Sequence, residues 1–178
     1  QQAVRTYGID QELIDAFLHS MELDLAPHEY DNRLYQEYIY GSAEVVGLMC
    51  LRVFCEGNEE KYQQLREPAR RLGAAFQKVN FLRDLRSDYQ DRGRVYFPGV
   101  DFQKFNPAAK TQIETDIQAD FDAAYEGIKR LPSGAKWGVY MAYVYYKTLF
   151  RKIQQLPASR IMQERIRVPD PQKLVLWV

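Results

Sequence analysis

Apolar residues recur at helical spacing along nearly the whole chain. Leu13, Ile14, Phe17, Leu18, Met21 and Leu25 share one face. They predict a helix over residues 11–24, with Asp10 as its N-cap and Pro27 beyond its end. A second helix is expected over 32–56, stopped by Gly57 and Asn58. It contains Gly41, Ser42, Ala43 and Gly47. A glycine inside a helix costs up to about 1 kcal/mol, so two of them predict a close approach by another part of the fold. A third helix is expected to start at Pro68 and run to 89, because proline suits a first turn whose N–H would be unpaired anyway. The stretch "DRGRVYFPGVDF" breaks the pattern and reads as a loop. Helices over 107–131 and 136–155 follow, separated by Pro132, Ser133 and Gly134, and Asp170-Pro171 could open a last one. Helix after helix with short connections and no alternating strands predicts an all-α bundle in one domain.

Composition narrows this picture. The 178 residues suffice for one domain with a substantial core, and 46% hydrophobic content excludes a disordered chain. Lys plus Arg (24) balances Asp plus Glu (24), so no overall field draws the chain to nucleic acid. Cys50 and Cys55 have no metal-motif spacing and point weakly to a reducing, cytoplasmic setting. No signal-peptide pattern is visible, and no uninterrupted apolar run reaches the roughly 18–20 residues needed to cross a bilayer. The 13 tyrosines cluster around Tyr30 to Tyr40 and Tyr140 to Tyr146, where packed rings with wet hydroxyls are the ordinary expectation.

One stretch changes the question from fold to chemistry. In "QKVNFLRDLRSDYQD", Gln77, Asn80, Asp84 and Asp88 fall within about 60° of one another on a helical wheel. Asp91 would join them if the helix persisted. A solvated face beside Arg83 and Arg86 is the ordinary account. Against it, the stripe continues a face that is small and apolar one turn earlier, at Leu72, Gly73, Ala74, Ala75 and Phe76. Val79 and Leu82, opposite, form no complete alternative core stripe. Two carboxylates one turn apart can reach a common hard cation such as Mg²⁺, which prefers oxygen ligands and is usually shared with substrate phosphates.

The segment "LGAAFQKVNFLRDLRSDYQDRGRVYFP" closely resembles the second aspartate-rich motif of squalene and phytoene synthases. "YIYGSAEVVG" is similar to the same family's tyrosine and small-residue motif, "FLHSMELDL" to the stretch before it, and "RIRVPDPQKL" to the family's ending. The resemblance covers nearly the whole chain in order. It implies an isoprenoid-synthase-type helical bundle. The family's first aspartate-rich motif has no counterpart here, and the segment from Met21 to Asp24 is not that motif. Residues 1–178 are therefore expected to be the C-terminal part of a single isoprenoid synthase domain, incomplete and inactive alone.

The resemblance implies a prenyltransferase that joins two prenyl diphosphates head to head. Asp84 and Asp88 would bind Mg²⁺, with Mn²⁺ as an alternative. Gln77 and Asn80 would orient metal-bound water or diphosphate, and Arg83 and Arg94 are candidates for diphosphate contact, with a surface salt bridge as the equal alternative for each. Ala43, Val46 and Gly47 on one helix, and Ala69, Leu72, Gly73 and Phe76 on the next, would line the prenyl channel. Simple helix packing is the alternative for the small residues. Tyr38 would sit near the reacting carbons, and Tyr96 and Tyr146 match further aromatic positions. "GRVYFP" and the Met21 to Leu25 pattern are more like carotenoid enzymes. The first expectation is therefore phytoene from geranylgeranyl diphosphate. The alternatives are squalene or dehydrosqualene from farnesyl diphosphate (NADPH being needed only for squalene), or a non-catalytic assembly factor on the same fold. Prenyl diphosphates are the expected partners, with peripheral membrane association for product release and self-association of the exposed channel wall.

Overall fold

The structure is a computed structural model that describes residues 2–25, 30–100, 105–163 and 166. Among these residues all regular structure is helical. The elements are α1 (Gln2–Tyr7), α2 (Gln11–Glu22), a 3₁₀ turn (Leu23–Leu25), α3 (Asn32–Ile39), a π-helical turn (Tyr40–Glu44), α4 (Val45–Cys55), α5 (Glu59–Arg92), α6 (Pro107–Ile128), α7 (Ser133–Gln155) and α8 (Ala158–Ile161).

The long helix α5 organises the bundle, packing against α4, the π turn, α6, α7 and α8. Its start corrects the sequence expectation. Asn58 is the N-cap, with its side chain accepting a hydrogen bond from Lys61 N–H, and Pro68 lies inside the helix. The missing hydrogen bond at Pro68 is tolerated because the ring seats directly on α6 at Gly127, where an added Cβ would stand 2.2 Å from Pro68 Cβ. α5 also runs past residue 89 to Arg92 and ends at Gly93 in the left-handed conformation (φ 65°). Asp91 thus remains helical but is exposed.

The other boundaries follow the pattern with local differences. Asp10 occupies the N-cap of α2 without a side-chain cap bond; its carboxylate instead accepts from Arg52 Nη2 at 3.0 Å. Asn106 caps α6 through Ala109 N–H. α7 begins three residues earlier than expected, at Ser133. The expected single helix over 32–56 is interrupted by the π turn, one extra residue per turn where α2 and α5 press against it. Together, residues 32–55 are long and apolar enough by composition to cross a membrane. The sequence expectation missed this because it sought an uninterrupted apolar run. In the fold 44% of the apolar window is buried against other helices, as in a core helix. The helix expected at Asp170-Pro171 lies outside the described residues.

Val79 and Leu82 are fully buried, joined by Ala75 and Leu85. The sequence argument that this face is incomplete is therefore overturned. These residues meet Ile117 and Phe121 of α6 and Leu149, Phe150 and Ile153 of α7. Each large side chain removed from water there contributes about 1.5–3 kcal/mol. Lys78, on the same face, is buried and answered by Asp116 (2.5 Å) and Asp120 (2.7 Å), with Arg71 also reaching Asp120 (3.2 Å). Thus α5 buries one face in the core and turns the face that carries the polar stripe elsewhere.

Candidate active site

On that other face α5 meets α4 and the π turn almost backbone to backbone. A Cβ on Gly73 would lie 2.4 Å from Ala43 O, and one on Gly47 would lie 2.7 Å from Ala69 O. Gly41 likewise admits α2, with Ala16 O at 2.5 Å from an added Cβ. The close approach read from the glycines is therefore a helix–helix contact. Beside it the small side chains leave an open, largely apolar cavity of about 560 Å³. Ala43, Val46, Gly47, Ala69, Leu72, Gly73, Phe76 and Gln77 all line it. Packing and cavity formation are thus two results of the same small residues.

The sequence reading missed the rest of the wall. Ala124, Gly127, Ile128 and Leu131 of α6 and its end, and Gly134, Ala135, Gly138, Val139 and Ala142 of α7, close the cavity. The i, i+4, i+8 spacing of Gly134, Gly138 and Ala142 was a usable signal.

Gln77 stands at the junction of cavity and stripe. Asp84 lies about 10 Å further along the helix and Asp88 about 6 Å beyond it, at 1.5 Å rise per residue. The Asp84 side chain is 17% exposed and pairs with Arg83 Nη2 at 2.5 Å. Burial alone would lower the Arg83 guanidinium pKa, but its bonds to Asp84 outweigh this and raise it. Asp88 is buried. Asn80 Oδ1 is buried with no hydrogen-bond partner. An orphaned oxygen on the same stripe as two carboxylates is a donor set that suits a hard cation. Among the described residues no group of three or more His, Cys, Asp or Glu could hold a metal. The stripe by itself is therefore not a complete metal site, and a cation held there would need further oxygens from water or phosphate.

Past the carboxylates the chain leaves α5 and builds an aromatic cluster. Tyr96 stacks on Phe81 (centroids 4.1 Å apart) and Tyr38 (5.4 Å), and Tyr30 packs against both tyrosines. The Tyr38 hydroxyl donates to Asp24 Oδ1 at 3.0 Å. Burial first, then Tyr96 and Asp24, push the Tyr38 pKa far above its ordinary value. Arg94 Nη1 bonds Asp24 Oδ1 (2.8 Å) and Nη2 bonds Asp24 O (2.6 Å), so both terminal nitrogens are engaged. Asp24 is a residue that the sequence reading passed over. Tyr146 is placed near the cavity, its ring stacked on Phe76 at 4.0 Å.

These features define an all-α protein in which a carboxylate-bearing helix leads from an aromatic cluster into an apolar cavity. Residues 1–172 match the squalene/phytoene synthase family, and the chain belongs to it. It is 28% identical over 198 residues to a 15-cis-phytoene synthase of Synechocystis sp., covering 97% of this chain and 58% of that protein. It is 34% identical over 85 residues to a 4,4′-diapophytoene synthase of Staphylococcus haemolyticus, covering 47% of this chain and 28% of that one. The chain thus spans little more than half the length of the Synechocystis relative. The crystal structure of YisP from Bacillus subtilis shares the fold, with a TM-score of 0.75 at 23% identity over 98% of this chain and 74% of that one.

Proposed function

We propose that the chain is the C-terminal part of a single isoprenoid synthase domain whose full-length protein joins two geranylgeranyl diphosphates head to head into phytoene. One observation carries this reading. Gln77 lines the apolar cavity and shares a helical face with Asn80, Asp84 and Asp88. A substrate with a long apolar tail and an anionic head needs that continuity of apolar wall and polar end.

The cavity walls bind the isoprenoid tail, at about 0.8 kcal/mol for each methylene removed from water. They also keep water from the reacting carbons, which would otherwise be quenched. Asp84 and Asp88, with Asn80 beside them, would hold Mg²⁺ (or Mn²⁺), which when bound supplies positive charge to the departing diphosphate. Gln77 orients the diphosphate end of the substrate. The allylic C–O bond breaks and its electron pair leaves with diphosphate. The second substrate's double bond attacks the cation, a proton is lost and a cyclopropyl diphosphate forms. Loss of the second diphosphate leaves a cation that rearranges and sheds a second proton to give phytoene. The buried cluster of Tyr38 and Tyr96, stacked ring on ring, would place electron-rich aromatic groups at the polar end of the site. Arg83 could turn from Asp84 to diphosphate, a fit for its planar fork. Arg94 is engaged by Asp24 and would act beside the anion. The product is apolar, so the reading includes cytoplasmic residence with peripheral membrane contact for release. Trp137 is 72% exposed and follows Ala135 on the cavity wall. The reading also includes self-association of this chain alone through its exposed cavity wall.

The similarity to a 4,4′-diapophytoene synthase favours one second reading, dehydrosqualene from farnesyl diphosphate, with squalene if NADPH is used. The test is product analysis of the full-length protein fed each diphosphate with Mg²⁺, with and without NADPH. Phytoene from the C20 substrate is expected. C30 product from farnesyl diphosphate alone would overturn the phytoene reading. No diphosphate release from either substrate would overturn the enzyme reading and leave an assembly role.

A further inference from the structure

Asp24 joins three parts of the molecule that are far apart in sequence. It sits in the 3₁₀ turn after α2, Tyr38 is on α3, and Arg94 follows the end of α5. Its carboxylate accepts from the Tyr38 hydroxyl (3.0 and 3.1 Å) and from Arg94 Nη1 (2.8 Å), while its carbonyl accepts from Arg94 Nη2 (2.6 Å). Arg94 is in turn tied to the carboxylate stripe, since its backbone N–H donates to Asp88 O at 2.9 Å. Tyr38 and Arg94 are both buried. Neither has freedom to seek another geometry while Asp24 holds it.

We infer that Asp24 is a positioning residue for the reaction, holding the Tyr38 ring and hydroxyl and the Arg94 guanidinium at the end of the Asp84–Asp88 stripe. The inference rests on the head-to-head condensation proposed above. Two physical effects follow from the geometry. A phenol that donates to a carboxylate becomes more electron-rich, so the Tyr38 oxygen and ring face positive charge more favourably. The Asp24 charge also balances Arg94, so the guanidinium does not repel a carbocation forming nearby. Both effects grow as positive charge develops on carbon, so they act on the transition state more than on substrate binding.

The experiment uses the full-length protein and measures diphosphate release under steady state. Asp24→Asn keeps the shape and removes the charge. The expected result is a kcat lowered roughly tenfold or more with KM little changed. Tyr38→Phe should lower kcat similarly, and the double variant should be no worse than the poorer single one. Additive losses, or Asp24→Asn with unchanged kcat, would overturn the inference. If Asp24→Asn does not fold, Asp24→Glu keeps the charge while displacing the carboxylate by one methylene. It should lose kcat at unchanged melting temperature, and full activity would overturn the positioning role. A wild-type protein that releases no diphosphate fails differently, because it removes the reaction and the inference together.

Discussion

Gly73 of α5 and Ala43 of the π turn meet at backbone distance: a Cβ added to Gly73 would stand 2.4 Å from the Ala43 carbonyl oxygen. The neighbour is backbone and cannot swing aside. Gly73→Ala should therefore separate the two helices or strain them, costing about 1–3 kcal/mol. Urea denaturation checks this. An unchanged midpoint would show that the contact is not rigid.

Lys78 and Asp120 form a buried ion pair at 2.7 Å that ties α5 to α6. Lys78→Met would leave the Asp120 charge in the core with only Arg71 to answer it. Removing one partner of a buried pair costs about 3 kcal/mol or more, so the loss should be large. Adding Asp120→Asn should recover part of it. A double variant less stable than Lys78→Met would contradict the pairing.

Asp84→Ala and Asp88→Ala should each lower kcat/KM of the full-length protein by about 100-fold, the scale of several kcal/mol of transition-state charge stabilisation. Melting temperature should fall for Asp84→Ala, since the largely buried Arg83 guanidinium would lose the carboxylate that answers it. Turnover equal to wild type in either variant would remove the carboxylate from the metal site.

Alkaline pH should weaken the fold. Burial, with Asp116 and Asp120 adding to it, pushes the Tyr35 hydroxyl pKa well above its ordinary value of 10.0, and burial does the same to Tyr30 and Tyr38. A raised folded value means that the folded chain keeps a proton which the unfolded chain loses. The stabilising contribution is complete below pH 10.0 and is lost as pH climbs toward the folded value. Tyr35→Phe should reduce the steepness of the decline by about 1.4 kcal/mol per pH unit. Denaturant midpoints at pH 9, 10 and 11, as nominal test conditions, would show it; identical slopes in the two proteins would refute it.

Much of the helical order was legible because helical periodicity is local. The positions that share a face are three or four residues apart, so Gln77, Asn80, Asp84 and Asp88 announce one another. Caps at Asn58 and Asn106 are equally local, each closing on the backbone three residues on. Pro68 misled because its local preference for a first turn is overridden by a packing partner, Gly127, 59 residues away in the sequence. Val79 and Leu82 misled for a similar reason: what completes their face is α6 and α7.

By itself, then, the sequence determined an all-α chain, the order of its helices and a polar stripe that runs on from small apolar residues. All of these depend on neighbours within about a turn. The tertiary structure alone decided that α6 and α7 close the cavity, and that Asp24 reaches Arg94 across 70 positions. Such contacts follow from how whole helices pack, a choice made by burial of their faces together and invisible in the spacing of any one of them.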